Sequence, residues 1–181
     1  MNRIIAMILA LILSIGAAFF GPDGADGDIA KLYQVPGYDV WVTVPSDWEK
    51  TDSANMDIQL TNGEMNLSIW VYSKEEPAAG QSALDFFLET NGRLLEKRDD
   101  ARQLEDVSVT EEEDRTLYHV RWSAVMNGHR NYYDFSFIDF RNTGTMMWVM
   151  VNGLPSTIED CSEDIRGMVS AVTDTAPELY R

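Results

Sequence analysis

From Ile4 to Phe20 the chain is apolar and uncharged, with Arg3 standing in front of it. This pattern predicts a membrane-addressed leader over 1 to 20, either a cleaved signal peptide or a retained anchor. Its 17 apolar-run residues would reach about 25 Å as a helix, short of the roughly 30 Å hydrocarbon core of a bilayer. Gly16-Ala17-Ala18 supplies a small-x-small cleavage pattern with Phe19 as the mature start, while the paired Phe19-Phe20 after it keeps the anchor open as the alternative. Residues 21 to 29 are rich in Gly and Asp and read as a flexible linker. Their aspartates lack the alternating spacing and the closing glutamate of a helix-loop-helix calcium site.

Beyond the linker the hydrophobic period drops to two. Tyr38, Val40, Val42 and Val44 alternate with Asp39, Trp41 and Thr43 up to Pro45, which predicts a strand with one apolar face. Met56, Ile58 and Leu60, then Met65, Leu67, Ile69 and Val71, flank Asn62-Gly63 and predict a hairpin. The period then lengthens. Ser82 with Asp85 forms an acidic variant of the capping box, and Leu84, Phe87, Leu88, Leu94 and Leu95 give the stripe of a helix over 82 to 98. Four strands follow at about 104 to 110, 116 to 126, 130 to 140 and 145 to 152. They are joined at the acidic Glu111-Glu112-Glu113-Asp114, at Asn127-Gly128 and at Asn142-Thr143-Gly144, so they read as an antiparallel meander. The last two are apolar at both parities, which predicts a sheet covered on both sides. Pro155 and Ser156, with Glu159 completing a capping box, open a final helix over 156 to 173. Its stripe is Ile158, Cys161, Ile165, Met168, Val169 and Val172.

The expected fold is therefore α+β: one domain over 30 to 175, an antiparallel sheet of six to seven strands flanked by two long helices, and a short tail over 176 to 181. Val44-Pro45-Ser46-Asp47-Trp48, closing the first strong strand, together with this element order resembles the PsbP-like superfamily. That group includes the extrinsic PsbP subunit of photosystem II, a nuclear factor that binds the small GTPase Ran, and bacterial envelope proteins of the DcrB type. The resemblance implies an α/β/α sandwich without a shared catalytic apparatus, whose better-known members act by docking to a partner. The chain departs from the DcrB-type proteins in having no lipidation cysteine after the leader.

Composition narrows the function classes. The chain carries 30 acidic against 14 basic side chains, a net charge of -16, and such a surface repels phosphate backbones and anionic headgroups. Nucleic acid is excluded as the expected partner. Cys161 is the one cysteine, so no intramolecular disulfide forms, and its place in the helical stripe predicts a buried, inert thiol. His119 and His129 are the two imidazoles, no nucleophile elbow or phosphate-binding glycine loop is present, and no zinc spacing exists. The formal sequon Asn66-Leu67-Ser68 falls inside a predicted strand. No cofactor, metal or catalytic constellation is expected.

The predicted function is an exported or envelope-associated, non-catalytic accessory module that docks to another envelope or extracellular protein. It touches the membrane only through residues 1 to 20 if these are retained. The alternative is a domain that binds a small ligand or glycan, with a carboxylate-based hydrolase ranked below both. Read strand by strand, the parity opposite the main aliphatic stripe carries Trp41, Gln59, Asn66, Ser68, Trp70, Tyr72, His119, Arg121 and Ser123. Aromatic rings beside polar donors make this the expected partner-binding face, the competing expectation being that a helix covers it.

Overall fold

The computed structural model describes residues 30–176. The leader, the linker and the tail from 177 lie outside them. Two sheets form. Strands β1 (Lys31–Gln34) and β2 (Trp41–Val44) pair as an antiparallel hairpin of their own. The main sheet takes β3 (Glu49–Thr51), β4 (Ile58–Thr61), β5 (Met65–Ser73), β6 (Asp99–Gln103), β7 (Ser108–Glu111), β8 (Arg115–Met126), β9 (His129–Phe140) and β10 (Thr145–Gly153). Its order is β3-β4-β5-β10-β9-β8-β6, with β7 also pairing β8, and every pairing is antiparallel. The sheet thus has eight strands where six to seven were expected. The additions to it, β3 and β6, are short and largely polar, so they carry no alternation to read, while the first expected strand pairs with β1 outside this sheet.

Turn chemistry sets the two hairpins. At the β4–β5 turn the Asn62 Oδ1 accepts from the backbone N–H of Glu64 at 3.1 Å and of Met65 at 2.9 Å, and Gly63 takes φ 90°. At the β8–β9 turn Asn127 and Gly128 hold φ 53° and 80°. Positive φ at both central residues is the geometry whose twist matches the flanking strands.

Helix α1 (Ala83–Leu95) opens on Ser82, whose Oγ accepts from the Asp85 N–H at 3.1 Å and donates to the Asp85 carboxylate at 2.7 Å. It stops three residues short of the expected end. The charged run after Leu95 gains nothing by burial, and the chain turns through Asp100 at φ 48° while it pairs as β6 along β8, with a register shift between Asp99 and Arg102. Of the strand expected over 104 to 110 only the end forms, as β7, and β6 precedes it. Between them Leu104 N–H donates to the Arg121 carbonyl at 2.9 Å.

The second long helix is not formed. Two short ones replace it, α2 (Pro155–Asp160) and α3 (Ser162–Ser170), broken at Cys161, which sits at φ -97°, ψ 14°. In a continuous helix Glu159 and Glu163, and Asp160 and Asp164, would stand four residues apart as like charges, which is unfavourable. The break instead places Glu163 and Asp164 in the first turn of α3, where the helix dipole favours them. The expected capping box is also absent: α2 is entered from Leu154 with no side-chain cap and with Pro155 in its first turn, where a missing N–H costs nothing.

Both faces of the sheet are covered, as the two-sided strands predicted. On one face Leu67, Ile69, Ile138, Phe140, Met147 and Val149 pack with Ile158 of α2, with Ile165 and Met168 of α3, with Val42 and Val44 of the β1–β2 hairpin and with Trp48 between β2 and β3. On the other, Phe135, Phe137, Trp148 and Val120 pack under Phe87 and Leu95 of α1. Trp148 stacks on Phe135 with centroids 5.4 Å apart and donates its Nε1–H to Oδ1 of Asn91, buried in α1, at 2.7 Å. A tryptophan buried in this way needs such a partner, and the bond pins the helix to the sheet.

Candidate functional site

A cleft of about 200 Å³ opens between α3 and the outer strands β7, β8 and β9. Register builds its floor. Ser108, His119 and Ser136 are direct cross-strand partners on β7, β8 and β9, so their side chains rise in one row on the face that α3 covers only in part. Arg121 and Asp134 are the next same-face pair along β8 and β9. From the other side, Ile165, Arg166, Val169 and Ser170 of α3 form the wall.

An ion-paired cluster holds the floor together. The Asp134 side chain is 2% exposed. One carboxylate oxygen meets His119 Nε2 at 2.8 Å, and the other accepts from Arg121 Nε at 3.1 Å and from its terminal nitrogen at 2.8 Å. Arg121 also reaches Glu105 at 3.2 Å. Burial alone would raise the Asp134 carboxyl, but the His119 hydrogen bond and charge and then the Arg121 contacts outweigh it and hold it below the usual carboxylate range. Because Asp134 is ionised, it only accepts, and His119 Nε2 must carry the proton it shares.

The nine residues expected to form one binding face do not share a face. Gln59, Asn66, Ser68, Trp70 and Tyr72 lie on the α1 side of the sheet, in register with Trp148 and Met150. Trp70 packs on Trp148 with centroids 4.5 Å apart and donates to the Asn55 carbonyl at 2.6 Å. Tyr72 meets Phe86 of α1 edge-on, and burial pushes its hydroxyl up to about 12. His119, Arg121 and Ser123 point to the opposite side, and Ser123 is buried and accepts from Arg130 at 3.1 Å. Trp41 belongs to the separate hairpin and is 6% exposed. The aliphatic stripes of the strands face different cores: β5 turns its stripe to α2–α3, and β8 turns Val120 and Ala124 to α1. Asp134, Ser136, Arg166 and Glu105 were missed. Asp134 and Ser136 had a readable signal, two polar residues at alternate positions inside an aromatic strand.

Cys161 is half-buried, and its thiol is pushed up first by burial and then by Asp164 and Asp160. Among the described residues no group of three or more His, Cys, Asp or Glu side chains is placed to hold a metal, and no helix is long and apolar enough to cross a membrane.

No protein-family model matches the sequence, and no curated protein matches it significantly. Solved structures do match. Cyanobacterial PsbP from Synechocystis sp. PCC 6803 superposes with a TM-score of 0.60 at 11% identity, over 83% of this chain and 95% of that one. The fold is PsbP-like. LpqN of Mycobacterium tuberculosis, a protein involved in cell envelope biogenesis, superposes at 0.56 with 10% identity over 83% and 86% of the two chains. The Ran-binding protein Mog1p of Saccharomyces cerevisiae does so at 0.58 with 11% identity over 81% and 96%. This PsbP-like arrangement agrees with the family resemblance carried by Val44-Pro45-Ser46-Asp47-Trp48.

Proposed function

We propose that the chain is an exported, envelope-associated accessory protein that works by docking to another protein. The observation that carries this reading is the outer edge of the main sheet. Strand β7 pairs with β8 alone, all four of its residues are exposed, and Val109 on it and Leu104 directly after β6 are 49% and 42% exposed. A sheet edge left open is a ready template for a partner's extended segment, with backbone hydrogen bonds supplying affinity and side chains supplying choice. The structural neighbours support the same class of role: one is involved in envelope biogenesis and another binds Ran. The apolar run at Ile4 to Phe20 supports the location.

Two measurements test the reading. Cell fractionation should place the full chain in the envelope or the medium, and recovery of intact protein in the cytoplasm would refute the placement. A photo-crosslinking amino acid at position 109 should trap one discrete partner, whereas the same probe at position 88, on the exposed side of α1, should not. Equal or absent trapping at both sites would refute docking by this edge.

A further inference from the structure

We infer that the cleft between α3 and strands β7–β9 binds a small, neutral, polyhydroxylated ligand: one sugar ring, free or at the end of a glycan. The cleft shares β7 with the proposed docking edge but uses the face of the sheet, and its test does not rest on that reading. Three polar groups at the cleft are left with unused capacity. Ser136 is 5% exposed, lines the cleft and makes no side-chain hydrogen bond among the described residues. Its hydroxyl opens onto the cleft, where a ligand oxygen can take the place of water. The second group is His119. Its Nε2–H is committed to Asp134 at 2.8 Å, which leaves Nδ1 with no partner among the described residues and open to a hydroxyl, a group that can donate to it or accept from it. The third is Arg166, whose Nε donates to the Ser162 carbonyl at 3.2 Å while its guanidinium enters no ion pair. Arg115 and Arg121 of β8 are both ion-paired.

The chemistry of the lining selects the ligand class. An anion is disfavoured by Glu112 and Asp134, whose carboxylates belong to the same cleft. A cation is disfavoured by Arg166 and by the absence of a metal-ligand group among the described residues. An apolar ligand would leave the Ser136 hydroxyl stranded. A sugar or polyol hydroxyl both donates and accepts, so it satisfies His119 Nδ1, the Arg166 donors and Ser136 together, while Leu117, Ile165 and Val169 offer an aliphatic wall to its C–H face. The cleft of about 200 Å³ falls below the roughly 300 Å³ at which drug-sized pockets begin. One ring fits this size, at roughly millimolar affinity.

Titration of the isotope-labelled full chain with glucose, galactose, N-acetylglucosamine and glycerol, followed by amide NMR shifts, tests the site. At least one of them should give saturable shifts centred on Ser136, His119 and Arg166. Ser136→Ala and Arg166→Gln should each weaken that binding by about fivefold or more, and Arg166→Gln, being exposed, should do so without moving the thermal midpoint. A trisaccharide ending in the responsive sugar separates the sources: tighter binding assigns the end of a glycan, equal binding a free sugar. No saturable shift with any of the four, the same shifts with sodium acetate, or unchanged binding in both variants would overturn the proposal.

Discussion

Replacing Asp134 by Asn keeps the shape of a buried side chain and deletes its charge, leaving Arg121 and His119 facing a neutral amide. Removing one partner of a buried ion pair generally costs about 3 to 5 kcal/mol, because the other charge stays desolvated. Here two features reduce the loss. Arg121 retains Glu105 at 3.2 Å, and the His119 side chain is 24% exposed and reaches water. We therefore expect a loss of about 2 to 3 kcal/mol at pH 7, below that general range. For a domain of this size that is a fall of roughly 4 to 12 °C in the thermal midpoint. The pH dependence gives the sharper test. The Asp134 carboxyl is held below its ordinary value in the folded state. Its stabilisation is therefore fully present above the unfolded value of about 4, and it fades as pH falls below that toward the folded value. Urea unfolding of wild type and Asp134→Asn should show a gap at about pH 5 that narrows below about pH 4. A gap under about 1 kcal/mol at neutral pH, or one that persists undiminished in acid, would show that the cluster contributes through shape alone.

Three further outcomes follow from the packing. Gly153→Ala would set a Cβ 3.1 Å from the Glu64 carbonyl oxygen and 3.2 Å from Met65 Cγ, and should lower unfolding free energy by about 1 to 3 kcal/mol; equal stability would mean that β10 and β5 can spread freely. Trp70→Ala removes the contact with Trp148 and the bond to the Asn55 carbonyl, so it should cost about 3 kcal/mol in denaturant titration, where a residue on an open binding face would cost little. Cys161 should be alkylated by iodoacetamide at pH 8 at least about tenfold more slowly than a free cysteine, because burial and its acidic neighbours disfavour the thiolate; reaction at the free rate would contradict its placement.

The hairpins were legible because Asn62-Gly63 and Asn127-Gly128 encode backbone angles locally, and local chemistry survives without knowledge of the fold. The two-sided cover was legible for a similar reason: Phe135 and Phe137 on one parity and Ile138 and Phe140 on the other need apolar neighbours wherever the sheet ends up. The break at Cys161 was harder, since the stripe from Ile158 to Val172 keeps its helical period across the interruption and only the like charges on the outer face oppose continuity. The binding face failed for a global reason. Which side of the sheet a parity reaches depends on register to the neighbouring strand, and β5 and β8 are separated by β10 and β9. Arg166 enters the cleft through the crossing of α3 over the sheet, a relation absent from any single stretch of sequence.

The bond pair between Trp41 and Thr173, N–H to carbonyl at 2.8 Å one way and 3.0 Å the other, joins the second strand of the chain to the residues just after its last helix. Arg115 reinforces this seam by donating to the Val172 carbonyl at 2.5 Å. Contacts between such distant positions impose a large loop-closure cost and come late in folding. The β1–β2 hairpin precedes the main sheet in chain order, yet its seat is finished only when the residues after α3 are in place. Until the final turn of α3 arrives, the hairpin can lay Val42 and Val44 against the sheet but lacks the cover of Ile165 and Met168 and the seam at Thr173, and the growing chain depends on whatever else shields that side.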